Sequence, residues 1–361
     1  MALFAAACRG GGPARIAYPL PWLSPVLAEV AQPAIDAWGR PRAAQIVDAY
    51  PGSRHLPSGY GGDVAFAEAT AAMPGLVAAV GPQSSRATLL AAPIYVERRI
   101  PLIAPTATSR FVGALGPWVF QLAPDDRAEG AFMADFALDR LHARRITIFY
   151  LLSDEYGLGL RDGVVLALRR RGVAPVDESG IIEESELPRR VAESLRRARP
   201  DAVVIAARAR EAAAIARALE ARQPHTPVIV GDGAPLDAWF RAAAGPAAAS
   251  VYGVAWWLPD QPDSASRAFV ARWARVDRAG PSAADAMYYD ALMVAARAVR
   301  DGGSSRAAVR RYLSELGVTR PPYRGVTGPI AFGPHRAVNL LMTTLAPDGR
   351  TVAVGAAGGN P

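Results

Sequence analysis

The sequence predicts an α/β protein built as two lobes. Three observations carry this prediction. Short Val- and Ile-rich runs alternate with helix-period segments along most of the 361 residues. That many runs in one sheet would make it unusually wide. No low-complexity linker divides the chain in two. Continuous apolar strands separated by helices belong to parallel sheets covered on both faces. Two smaller sheets satisfy the same pattern better than one, and the missing linker favours lobes that the chain crosses several times through short hinges.

In chain order, strands are expected at Ala14–Leu20, Ala43–Tyr50, Leu76–Gly81, Pro101–Pro105, Arg145–Leu151, Asp201–Ala207 and Pro227–Asp232. Amphipathic helices are expected between them, as at Asp126–Arg140 and Leu187–Arg197. The pattern changes after Trp257. "SASRAFVARWARVDRAG", "ADAMYYDALMVAARAVRDGG" and "SRAAVRRYLSEL" are three successive helix patterns. "GPIAFG" then reads as a strand, and "NLLMTTLAPDGRTVAVG" as a hairpin turning at "PDGR".

Composition excludes several classes. The chain is 51% hydrophobic and 20% charged, which places it among globular and not disordered sequences. Net charge is +7, and all 40 basic residues are arginine. They are scattered among Asp and Glu and form no stripe, so no nucleic-acid partner is implied. Cys8 is the only cysteine, which rules out an intramolecular disulfide and a Cys-based zinc site. His55, His142, His225 and His335 are far apart, and no metal or cofactor is implied. No apolar run is long enough to span a bilayer. "MALFAAAC" leaves two readings open: the tail of a signal peptide with a lipobox at Cys8, or a short leader with an incidental cysteine. "RGGGP" would follow as a flexible tether.

In open parallel sheets, ligands bind outside the carboxyl ends of the strands. The residues there are Ser84 and Ser85 in "VGPQSSRATLL", Thr106 and Thr108 after "PLIAP", Tyr156 in "SDEYGLGL", Arg208 after "DAVVIAA", and Asp232 after "PVIVG". They suit a zwitterion. A helix start with a serine hydroxyl favours a carboxylate, and an aspartate accepts from an ammonium. Each residue also has a plainer reading: Ser84 or Ser85 as a helix cap, Thr106 and Thr108 as turn residues, Tyr156 as a core phenol, Arg208 as an ion pair with Glu211, and Asp232 as a turn residue. A serine nucleophile is disfavoured, because "GPQSSR" is not a G-x-S-x-G elbow and no histidine lies in a matching loop. No G-x-G-x-x-G after a strand and no Walker A motif occurs.

The ordered set "VAAVGPQSSRATLLAAPIYVERRIPLIAPTATS", "VFQLAPDDRAEG", "RITIFYLLSDEYGLGLRDG", "PDAVVIAARAREAAAIARAL", "VIVGDGA" and "YRGVTGPIAFGPHRAVN" resembles the type I periplasmic binding proteins. The nearest likeness is the leucine/isoleucine/valine-binding branch of ABC-transporter substrate-binding proteins. The resemblance implies two Rossmann-like lobes joined by three hinge crossovers. It places lobe 1 at 14–121 plus 258–331, lobe 2 at 122–257 plus 332–361, and a leader and tether at 1–13. It implies that Ser85 holds a ligand carboxylate and that Thr108 contacts both carboxylate and ammonium, with the backbone of Thr106 beside it. Tyr156 would close over the ligand, Asp232 would pair with its ammonium, and Trp22 would line the side-chain pocket. Arg208 stands where the branch carries a tyrosine, so it would either swing into solvent or meet a polar or acidic group on the ligand.

The function so implied is not enzymatic. It is capture of an amino acid or related zwitterion by lobe closure, outside the cytoplasm, for delivery to an ABC-transporter permease. Membrane association would come only through a lipid anchor. A ligand-sensing regulatory protein on the same fold, and an α/β hydrolase using Ser84 or Ser85, are the alternatives.

Overall fold

The computed structural model describes residues 13–18, 26–38, 44–48, 60–333, 336 and 338–357. Cys8 and Trp22 lie outside these residues.

The first sheet collects β1 (Ala14–Tyr18), β2 (Ala44–Asp48), β3 (Leu76–Val80), β4 (Leu102–Ala104) and β5 (Val119–Gln121). Helices α1 (Leu27–Asp36), α2 (Tyr60–Ala71) and α3 (Ser85–Glu97) connect them. All neighbours are parallel, in the order β2-β1-β3-β4-β5. Every residue of β3 is buried, because helices cover both faces and no position can be polar without losing water.

The chain then enters a second sheet through α4 (Asp126–Asp135), which runs on as a π-helical turn over Phe136–Arg140. There follow β6 (Ile146–Leu151), α5 (Glu155–Arg170), β7 (Asp177–Ile181), α6 (Leu187–Ala198), β8 (Ala202–Ala206), α7 (Ala209–Glu220), β9 (Val228–Val230), α8 (Ala238–Ala244) and β10 (Val251–Ala255). The parallel part runs β7-β6-β8-β9-β10. This repeats the strand order of the first sheet. In each sheet the order reverses once, between β1 and β3 and between β6 and β8, and each reversal opens a crevice at the carboxyl ends of the strands.

The three helices after Trp257 return to the first sheet. They are α9 (Ser264–Trp273), α10 (Ala283–Gly302) and α11 (Arg306–Glu315), and α10 packs across β1 to β4. A capping box between Ser282 and Asp285 starts α10. Asp290, inside this buried helix, accepts from the amides of Val326 and Thr327 at 2.7 and 2.8 Å and from the Thr327 hydroxyl at 2.7 Å. These bonds fasten the small hairpin of β11 (Tyr323–Gly325) and β12 (Gly328–Ile330) to α10. The chain ends in the second sheet, where β13 (Leu341–Leu345) pairs antiparallel with β10, and β14 (Thr351–Ala356) with β13.

The fold class is the predicted one, α/β with two sheets. Two details differ. The strand expected in "GPIAFG" contracts to β12 and joins neither main sheet. The strand β7, "DESGI", was not expected, because it lies at the sheet edge and opens with three polar residues in a row.

Candidate functional site

On the first sheet, the site begins where β3 gives way to α3. Ser84 is the helix cap, its Oγ accepting from the Ala87 amide at 3.1 Å. The helix-cap reading of Ser84 is thus the one its side chain shows. Ser85 is different. It is buried, and its Oγ accepts from the amides of Thr108 at 3.2 Å and Ser109 at 3.0 Å. With the oxygen accepting twice, the hydroxyl proton is what Ser85 has left to offer.

The loop after β4 is held from three sides. Gln121, the last residue of β5, donates to Ala107 O at 2.8 Å and Ser109 O at 3.2 Å. The Asp126 amide donates to Thr108 O at 2.8 Å. Thr106 Oγ1 donates to Gln83 O at 2.7 Å, tying this loop to the one before α3. Ser85, Thr106 and Thr108 therefore come together in one preorganised corner.

The second sheet supplies carboxylates. Asp125 caps α4 through the amides of Arg127 and Ala128, so Asp126 and Glu129 in the first turn share a face at i and i+3. Asp126 and Glu129 are both buried. Glu129 Oε1 accepts from the Asp232 amide at 2.8 Å. The carboxyl groups of Glu129 and Asp232 lie within hydrogen-bonding reach of one another. Burial pushes both up, and their mutual repulsion pushes Glu129 further. Burial also pushes Asp126 up to about 7, against the opposing influence of the adjacent Thr108 side chain.

The "GDG" turn has a definite reason for its glycines. A Cβ at Gly231 would lie 2.4 Å from Tyr156 Oη and 2.7 Å from Glu129 Oε1, and one at Gly233 would lie 2.6 Å from the Tyr156 ring. Tyr156 Oη accepts from the Gly233 amide at 2.9 Å. The turn is thus pressed against α4 and α5, and this presents Asp232 beside Glu129.

Arg208 answers the sequence alternatives with a third outcome. It neither pairs with Glu211 nor swings free. Its Nε donates to Asp154 Oδ2 at 2.7 Å, and its guanidinium sits 4.5 Å over the Tyr156 ring centroid. Asp154 and Arg208 follow β6 and β8, so this ion pair spans the crevice where the strand order of the second sheet reverses. Tyr156 is 1% exposed beneath it, and its ring carries the guanidinium.

The two halves meet here. Ser109 Oγ, after β4, reaches Glu155 Oε1 at the start of α5 at 3.5 Å. The Thr108 side chain lies beside Asp126, and Asp232 and Glu155 are among the charged neighbours of Asp126. Hydroxyl-bearing residues that follow strands of the first sheet therefore approach acidic residues of the second.

A family model described as periplasmic binding protein matches residues 59–344. The chain belongs to this family. Solved structures share its architecture over nearly full length. A leucine-binding protein from Thermotoga maritima has a TM-score of 0.81 at 19% identity, with 95% of this chain and 98% of that one covered. A branched-chain amino acid transporter substrate-binding protein from Streptococcus pneumoniae, in complex with isoleucine, also reaches 0.81, at 18% identity with 96% and 99% covered. A solute-binding protein from R. palustris, in complex with benzoate, reaches 0.77 at 16% identity with 96% of each chain covered. No curated protein matches the sequence.

Within the family architecture, the sequence reading missed Asp126, Glu129 and Asp154. Asp126 and Glu129 were passed over as acidic residues of an amphipathic helix start. Their i, i+3 spacing in the first turn of the expected helix was the available signal. Among the described residues no helix is long and apolar enough to cross a membrane, and no cluster of side chains is suited to a metal ion.

Proposed function

We propose that this chain is an extracytoplasmic solute-binding protein that captures an amino acid, or a related small zwitterion, between its two lobes and presents it to an ABC-transporter permease. What supports this reading is the nearness of the Ser85–Thr108 corner, from the first sheet, to Asp126, Glu129 and Asp232 from the second. A ligand carboxylate takes the Ser85 hydroxyl proton near the start of α3, where the helix dipole favours an anion. An ammonium takes the carboxylates of the other wall. Only when the lobes are together does one ligand make both sets of contacts, so its binding free energy favours the closed arrangement.

In this reading, lobe 1 comprises 14–121 plus 258–331 and lobe 2 the remainder after residue 121, with hinges at the crossings. Cys8 is the candidate point of lipid attachment. The structural neighbours are described with isoleucine, leucine and benzoate, so the fold admits chemically different ligands and the cleft residues decide. The test is titration calorimetry of the folded protein with the twenty common L-amino acids. Single-site binding of one or a few supports the reading, and binding of none overturns it.

A further inference from the structure

The second wall of the cleft holds more acid than one ammonium needs. Asp126 and Glu129 project from α4 after the cap Asp125, and Asp232 from the turn after β9. From α5 and its cap the neighbours are Asp154, Glu155 and the Tyr156 phenol, and from the start of α7 there is Arg208. Arg208 is the one cation among these groups, and its guanidinium is engaged by Asp154. Among the described residues, Glu129 Oε2, Asp232 Oδ1 and both Asp126 carboxylate oxygens are buried without a well-formed hydrogen bond, with the Thr108 hydroxyl beside Asp126 and the Tyr156 phenol beside Asp232. A buried carboxylate oxygen without a donor is costly. Two carboxyls within bonding reach, with no donor between them, are satisfied by one proton held in common.

Building on the proposed function, we propose that Glu129 and Asp232 share a proton in the empty cleft and release it when an ammonium group binds, so that the site selects cationic amines and exchanges one proton per ligand. The balance is simple. The ligand enters as R–NH3+, the shared proton leaves to solvent, and the two carboxylates accept the N–H donors that the proton had supplied. A ligand with no cationic nitrogen leaves the proton in place and gains nothing from this wall. Glu129 is then a specificity-determining residue alongside Asp232.

Glutamine at 129 is a permanent stand-in for the protonated acid. Its Oε1 still accepts from the Asp232 amide, and its Nε2 donates to the Asp232 carboxylate at every pH. The experiment is calorimetry with L-leucine, L-arginine and putrescine, in phosphate and in Tris, between pH 5.5 and 8. Wild-type protein is expected to release about one proton per ligand, seen as a buffer-dependent enthalpy, with affinity rising roughly tenfold per pH unit below the pair's upper titration. Glu129→Gln is expected to lower the proton release by about one per ligand and to flatten the slope accordingly. Flat affinity and equal enthalpies in both buffers for the wild type would overturn the inference. If none of the three probes binds, the proposed function fails for them, and the pair is tested by itself. In carboxyl-13C-labelled wild-type protein, one of the two carboxyls must titrate well above the ordinary value near 4. Ordinary titration of both would overturn the inference without any ligand.

Discussion

Arg208 lies over the ring of Tyr156, its guanidinium carbon 4.5 Å from the ring centroid, while Asp154 holds its Nε at 2.7 Å. The arrangement puts a cation on the roof of the crevice between β6 and β8 without leaving it unpaired. The side chain is 41% exposed, so solvent screens the pair and its share of stability is small. Arg208→Ala is expected to lower unfolding stability in urea by less than about 1 kcal/mol. It also uncovers the Tyr156 ring, so ligand affinity should shift more than stability does. A loss of several kcal/mol would mean that the pair is structural.

The two adjacent serines should separate cleanly. Ser84→Ala removes a cap and should cost about 1 kcal/mol of stability with ligand affinity unchanged. Ser85→Ala strips the acceptor from two buried amides and should cost about 1–3 kcal/mol, and it should weaken ligand binding as well. Urea unfolding and calorimetry on both variants check this, and equal effects on binding would count against the assignment.

Asp126 makes stability depend on pH in a stated direction. Burial raises its carboxyl to about 7, so the folded protein holds a proton that the unfolded chain gives up near 4. The stabilisation from this group is full below about pH 4 and is lost as pH rises through 7. Asp126→Asn, uncharged throughout, should match the wild type near pH 4 and exceed it at pH 8 by on the order of 2–4 kcal/mol. Thermal unfolding across that range checks it, and parallel curves would contradict it.

Helices α4 and α5 touch backbone to backbone. A Cβ at Gly163 would stand 2.1 Å from the Asp126 carbonyl oxygen, and one at Gly130 would stand 2.4 Å from the Gly163 backbone. Alanine favours a helix over glycine by about 1 kcal/mol, but here the clash decides the sign. Gly163→Ala should destabilise by about 1–3 kcal/mol and displace Asp126, so affinity should fall too. A stabilised variant would show that the helices separate easily.

The sequence made the layered α/β plan readable because fully buried strands such as β3 and β8 must be apolar throughout. It did not reveal β7, whose single neighbour lets it keep Asp177 and Glu178. Ser85, Thr108 and Asp232 were legible because each closely follows a strand. The partner of Arg208 was not, since Asp154 is 54 residues away and the contact follows from β6 lying next to β8. Glu129 was hidden for a similar reason. Its role comes from a turn 103 residues later that bends close only because Gly231 and Gly233 lack side chains.

The most direct measurement is calorimetric titration of wild-type, Ser85→Ala and Asp232→Asn proteins with whichever L-amino acid the wild type binds most tightly. A ligand held at both walls predicts one site in the wild type and at least a tenfold weaker constant in each folded variant. Affinity unchanged in both variants would show that the ligand does not lie between these residues.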